Sequence, residues 1–341
     1  MKKNIYGIII LWVLFTGDIF AQNTQIKGFE NVDASAISDT TNRNHFALGQ
    51  FDLFITSQIT DKVSFLGETV FEYKKDFGVS IERAIINYQF KDYFYVTAGK
   101  QYVPLGYWNN AYHHGLVLQP TIIRPNIVRE DANGDWLPLE DVAVQFNGGG
   151  ISKINLGYNL MVGNGIASNV VDDFNQSKAV CLNIHAEPID NFKFYISGYA
   201  DNIPAGTTTL QGIKLTQNAK LQIVNGSVAY MDGSLPFEFV GEFYNLRTQM
   251  LDSNNNSSSN GYLLYLGYKL KKTKLVPYLA YDAVMLDKNQ YYFLQNNISS
   301  FTFGLRYVIH PLSIIKLEYK NINTKLSGTQ NRIDLQFAIG F

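Results

Sequence analysis

Between residues 102 and 140, ionisable and aromatic side chains crowd into a stretch without strand-like alternation. It holds Arg124 and Arg129, the acids Glu130, Asp131 and Asp135, the adjacent imidazoles His113 and His114, and the rings Tyr107, Trp108, Tyr112 and Trp136. Connections longer than about 12–15 residues are usually functional or unstructured. Three prolines (Pro120, Pro125, Pro138) and the aromatics favour a packed segment here. Two arginines opposite three acids across a narrow waist would set up a transverse field. Dipolar solutes orient in such a field, and bulky apolar ones must be desolvated to pass. The alternative is an outward-folded surface loop whose charges are merely solvated.

Covalent and metal chemistry have weaker support. Neighbouring His113 and His114 lack a ligand spacing. Residues 131–135 (DANGD) begin like a calcium loop, but Trp136 stands where the glycine is required and the distal Glu is missing. Cys181, the single cysteine, lies in mid-strand with no evident His partner and reads as a small packing residue. Neither a G-x-S-x-G elbow nor a P-loop occurs. No catalytic group, metal or cofactor is expected.

What would hold such a segment in place is a wall of strands. In Asn331–Phe341 (NRIDLQFAIGF), Ile333, Leu335, Phe337, Ile339 and Phe341 fall on one face, and Arg332, Asp334, Gln336, Ala338 and Gly340 on the other. That period of two is a strand with an apolar and a polar side. About eleven residues tilted roughly 40° rise ~27 Å, close to an outer-membrane apolar band. Alternation and turn residues give sixteen strand candidates, near 26–35, 45–60, 62–73, 80–90, 93–101, 141–147, 152–162, 178–187, 191–201, 219–231, 236–248, 260–270, 274–286, 298–309, 314–324 and 331–341. Short and long connections alternate along them, as turns at one rim and loops at the other require. The low-complexity run 252–261 (DSNNNSSSNG) reads as a mobile external loop.

Composition agrees. The chain is 46% hydrophobic, 14% aromatic and only 17% charged. Beyond the first twenty residues no apolar run approaches the ~18 needed for a spanning helix. Residues 1–21 read as an export signal: Lys2 and Lys3, the apolar run Ile5–Phe15, and a short exit ending at Ala21. Removing Lys2, Lys3 and Asp18 from 28 basic and 29 acidic residues leaves 26 and 28, net −2. Near-neutrality argues against a nucleic-acid or polybasic membrane-surface binder. Residues 22–341 are read as an all-β, transmembrane antiparallel β-barrel of about 16 strands, its long third external loop folded into the lumen. Sixteen strands leave a water-filled interior.

On that wall, strand parity turns Arg83, Lys193, Arg306, Lys316, Lys320 and Arg332 inward as cations. Glu68, Glu72, Glu238, Glu242, Glu318 and Asp334 turn inward as anions. Lys316, Glu318, Arg332 and Asp334 sit on neighbouring strands and could pair across them. Phe90, Tyr93, Tyr107, Trp108, Tyr291, Tyr292 and Phe293 suit interfacial girdles.

Taken together, the export signal, the amphipathic strands, the alternating connections and the terminal Phe341 resemble bacterial outer-membrane porins. Residues Glu82–Gly106 (ERAIINYQFKDYFYVTAGKQYVPLG) resemble the phosphate-selective-porin-like group, with Gly99, Lys100, Pro104 and Gly106 on its G-[RK]-x-x-x-P-x-G pattern. The resemblance implies a bacterial outer-membrane location with lipid around the barrel, and a homotrimer. It also implies an inward third loop as constriction and a terminal strand read by the barrel-assembly machinery. Its anion-binding residues do not transfer, because no dense Arg or Lys run stands at matching positions. The expected activity is passive diffusion of small hydrophilic solutes or ions, with anions such as phosphate among the candidates. A barrel enzyme or adhesin acting through external loops is the alternative.

Overall fold

The structure is a computed structural model that describes residues 23–38, 44–73, 77–113, 118–129, 136–166, 173, 176–253, 255–294 and 296–341. The export signal falls outside the described residues. Sixteen antiparallel strands close into one barrel. In chain order they are β1 (Asn23–Ile37), β2 (Asn44–Gln58), β3 (Val63–Tyr73), β4 (Phe77–Lys91), β5 (Phe94–Tyr102), β6 (Glu140–Ile151), β7 (Leu156–Gly163) and β8 (Ala179–Ile189). There follow β9 (Phe192–Ile203), β10 (Ala219–Tyr230), β11 (Phe237–Met250), β12 (Asn255–Tyr268), β13 (Leu275–Met285), β14 (Ile298–His310), β15 (Ser313–Thr324) and β16 (Gly328–Gly340). Between β5 and β6 lie a short helix, α1 (Tyr107–Tyr112), and one 3-10 turn (Asn126–Val128).

Closure follows from the cost of leaving backbone N–H and C=O groups unpaired in hydrocarbon. The seam pairs β1 with β16, and the last residue completes it: Phe341 N donates to Gly28 O (2.8 Å) and Gly28 N to Phe341 O (2.9 Å). The Phe341 ring stacks on Phe51 at 6.1 Å. A Cβ on Gly28 would come within 2.5 Å of the Phe341 ring, so glycine is needed at the seam.

Outside, alternation holds as the sequence requires. Phe301, Phe303, Leu305 and Tyr307 are 37–55% exposed, while Ser300, Thr302 and Arg306 on the other face are buried. Ile333, Leu335 and Phe337 likewise look out, with Asp334, Gln336 and Ala338 inside. Among the described residues no helix is long and apolar enough to cross a membrane; the strands would do so.

The inside departs from expectation. Large apolar stretches of the inward face are found on β8 and on β10 to β13. Cys181, Leu221, Ile223, Tyr244, Leu246, Leu263 and Tyr265 form one core with Leu105, Trp108, Ile127, Trp136 and Leu137 from the β5–β6 connection. Each such aliphatic side chain taken from water contributes roughly 1.5–3 kcal/mol. That part of the interior is therefore a packed core rather than open water. Tyr107, Trp108, Tyr292 and Phe293 belong to that core and are not girdle residues, whereas Phe90, Tyr93 and Tyr291 are exposed.

The polar run 252–261 is no loop beyond its first residues. From Asn255 on it is the start of β12, paired to β11 from Met250 back to Asn245, with Ser257 Oγ 2.5 Å from Thr248 Oγ. A strand with polar side chains on both faces shows no hydrophobic alternation, although Ser257 and Ser259 are buried, so its composition hid it. Lys316, Glu318, Arg332 and Asp334 also do not pair as opposites across strands. The register sets Lys320 against Arg332 and Glu318 against Asp334, and Arg332 is bridged to Asp334 two residues along its own strand (2.6 Å).

Candidate functional site

The β5–β6 connection is tied to the inner face of the wall by its own backbone amides. The first amides of a helix have no partner within it, and here the wall supplies them. Gly106 N donates to Ser197 Oγ on β9, Tyr107 N to Ser227 Oγ on β10 (both 3.3 Å), and Trp108 N to Glu242 Oε1 on β11 (2.5 Å). The Tyr244 hydroxyl donates to the second oxygen of Glu242. Further along, Ile122 N donates to Glu318 Oε2 (2.8 Å), which also takes the Tyr278 hydroxyl (2.9 Å). Asn126 N donates to Asp282 Oδ1 (2.7 Å), and the Asn126 side chain reaches Asp282 and Ser300 Oγ (2.6 Å). Lys316 Nζ and Lys320 Nζ donate to the carbonyls of Thr121 (3.3 Å) and Arg124 (3.4 Å). Three buried carboxylates and two buried ammoniums thus hold a segment whose backbone would otherwise be stranded away from water.

The neck is equally fixed. Val103 N donates to Leu139 O (2.9 Å), and Asn109 Nδ2 donates to the carbonyls of both Val103 and Leu139 (2.9 Å each). The motif residues explain themselves here. Gly99 has φ +133°, and a Cβ there would lie 1.9 Å from Ala84 O on β4; Gly106 has φ +80°, and its Cβ would meet the Tyr244 hydroxyl. Lys100 bridges to Glu140 (2.8 Å), and the Pro104 carbonyl lies 3.8 Å from Cys181 Sγ. Burial pushes the Tyr107 phenol up to about 12 and that of Tyr112 well above the usual tyrosine value. Both therefore stay neutral in the site.

Of the residues expected at a waist, His113 is buried, with its Nδ1 2.5 Å from Asn109 Oδ1 and its ring against that of Tyr102, 4.0 Å between centroids and tilted by 31°. Arg124 and Arg129 are half-buried. His114, Glu130, Asp131 and Asp135 lie outside the described residues. Of the expected lining residues, Lys316, Lys320 and Glu318 are buried under the loop and serve as its anchors. Arg306 is clamped on Glu238 (2.6 and 2.9 Å) with Tyr265 on the same carboxylate. Arg83 bonds Glu68 (2.5 Å) and lies over the rings of Tyr102 and Phe54; Arg332 is held by Asp334. Lys193 and Glu72 are half-buried on the inward face.

Against the first five strands the interior stays polar. A cavity of about 550 Å³ is lined there by Gln25, Thr56, Ser64, Asn87, Gln89 and Thr97 among others. Asp282, Ser300, Ser227 and Asn126 were missed in the sequence. Asp282 could have been found, since it stands on the inward phase of β13 among apolar neighbours.

No family model and no curated protein sequence matches the chain. Solved structures do match in fold. OmpT, an outer membrane protein of Vibrio cholerae in its trimer form, is 12% identical with a TM-score of 0.67 over 94% of this chain and 100% of that one. The anion-selective porin from Comamonas acidovorans is 9% identical, TM-score 0.67, over 94% and 100%. The outer membrane channel DcaP of Acinetobacter baumannii is 15% identical, TM-score 0.65, over 94% and 97%.

Proposed function

We propose that this barrel is a passive diffusion channel of the bacterial outer membrane, with the 102–140 segment as its constriction. One observation carries the reading. The connection packs over the inner faces of β9 to β15, while the inner faces of β1 to β5 keep hydroxyl and amide side chains around open space. A closed wall, apolar outside, with a one-sided polar passage inside needs no catalytic group to let water-soluble molecules through. The fold shared with a porin and an outer membrane channel supports the same reading.

Selectivity follows from the wall. Arg83–Glu68, Arg306–Glu238, Arg332–Asp334, Lys320–Asp282 and Lys100–Glu140 are each matched within 4 Å. Paired charges leave little net field, so discrimination by charge is weak, and anions such as phosphate are admitted rather than bound. Arg124 and Arg129, half-buried on the constriction segment, are the side chains that would bias the passage toward anions. The working assembly is a homotrimer, by analogy with the trimeric Vibrio protein, and the terminal Phe341 strand is the segment offered to the assembly machinery.

Planar-bilayer recording with ion substitution tests the function. Ohmic conductance with a cation-to-anion permeability ratio within about threefold of unity is expected; absence of conductance from folded, inserted protein refutes the channel. Strong cation selectivity refutes the admission of phosphate-like anions.

A further inference from the structure

We propose that Glu82, His113 and Glu140 form a binding site for one divalent transition-metal ion of the zinc class. The three come from β4, from the residue closing α1, and from the first residue of β6. A ligand atom from each lies within 4.8 Å of the others. No sequence spacing announces them, since His113 is separated from both acids by more than 25 positions.

Orientation makes this more than a cluster of acids. The Asn109 side chain is fixed by its amide, which donates to Val103 O and Leu139 O. Its oxygen therefore faces His113 Nδ1 at 2.5 Å and accepts the proton there. With the proton on Nδ1, Nε2 is the nitrogen through which the imidazole would ligate a metal, and a hydrogen bond to the other nitrogen is the usual way of fixing such a ligand. Contact with the tilted Tyr102 ring limits rotation of the imidazole. Ser80 Oγ donates to Glu82 Oε1 (2.6 Å), steadying that carboxylate in turn.

One imidazole nitrogen and two carboxylates suit Zn²⁺ and its neighbours, completed by water, whereas Ca²⁺ and Mg²⁺ prefer all-oxygen shells. Lys100 Nζ, 2.8 Å from Glu140 Oε2, neutralises that acid without exhausting it, because a carboxylate offers about four acceptor positions. His113 and Glu82 are buried, and Glu140 keeps partial exposure, which leaves a way in from its side. A bound ion would staple the neck of the 102–140 segment to β4. This inference stands whether or not the barrel conducts.

The test uses the full folded barrel in detergent, without an affinity tag, stripped with chelator and dialysed against micromolar ZnCl₂. Elemental analysis is expected to find one zinc per chain, not displaced by a thousandfold excess of Ca²⁺ or Mg²⁺. X-ray absorption is expected to find one imidazole among oxygen ligands. Substitutions His113→Gln and Glu82→Gln should each weaken binding at least about a hundredfold, and Asn109→Ala roughly 10–100-fold through loss of orientation. Absence of saturable binding overturns the proposal, as does binding that survives both ligand substitutions, or a shell with two or more imidazoles. If the variants do not fold, the ligand shell of the wild-type protein alone decides.

Discussion

Removing the Asp282 carboxylate should release the middle of the 102–140 segment while leaving the barrel closed. Asp282 accepts two hydrogen bonds from Asn126, one from the backbone and one from the side chain, and lies 3.5 Å from Lys320 Nζ. Hydrogen bonds to a charged group contribute about 1.5–3 kcal/mol each, so Asp282→Ala costs this anchor about 3–6 kcal/mol. The upper part of that range applies because the buried Lys320 loses a counter-charge. At about 1.4 kcal/mol per decade, the local opening equilibrium of residues 121–129 rises two to four powers of ten. Residues 103–113 stay down, because Ser197, Ser227 and Glu242 still hold them. Limited proteolysis should cut the variant between 121 and 129 far faster than wild type, with unchanged heat-modifiable mobility of the barrel. Single-channel records should show added open-channel noise and earlier closure under voltage. Asp282→Asn keeps an acceptor and should fall between the two. A folded Asp282→Ala barrel with wild-type protease resistance would refute the anchoring argument.

Other expectations follow from the same geometry. Gly99→Ala forces a Cβ against Ala84 O in a backbone region foreign to alanine. It should cost roughly 1–3 kcal/mol from strain alone, read as a lower denaturant midpoint in vesicles; an unchanged midpoint would remove the role given to that glycine. Arg124→Ala with Arg129→Ala should lower anion permeability in an intact barrel, measured by reversal potential, and no change would place those side chains outside the path. Burial raises the Tyr107 phenol from 10.0 to about 12. The folded state then holds a proton that the unfolded chain gives up, so this contribution to stability is complete below pH 10 and is lost as pH rises through about 12. Tyr107→Phe should flatten that alkaline loss in a pH series of folded fraction; an unaltered profile would assign it elsewhere.

The candidate site was legible in part. Strand parity turned Glu242, Glu318, Lys316 and Lys320 inward, and inward they are, yet parity says nothing about what meets them there. These residues hold a loop instead of lining a passage, because Ile122 lies 196 positions from Glu318, and Asn126 lies 156 from Asp282. The girdle assignment of Trp108 and Phe293 failed for a similar reason: an aromatic beside a strand end fits an interface or an interior equally well.

By itself the sequence determined the wall. A period of two fixes which side chains share a face, and sixteen such segments joined by alternating short and long links have no edge-free arrangement but a ring. Phe341 at the end of β16 belongs to that reading. Tertiary structure alone decided what fills the ring. On β10, Leu221 and Ile223 face in while Gln222 and Val224 face out, so the alternation marks two faces without saying which of them meets lipid. Which face meets lipid and which meets Trp108 is set by the loop that packs there. The meeting of Glu82, His113 and Glu140 is likewise tertiary, since the register of β4, β5 and β6 sets the two acids near each other and the packing of α1 brings His113 to them.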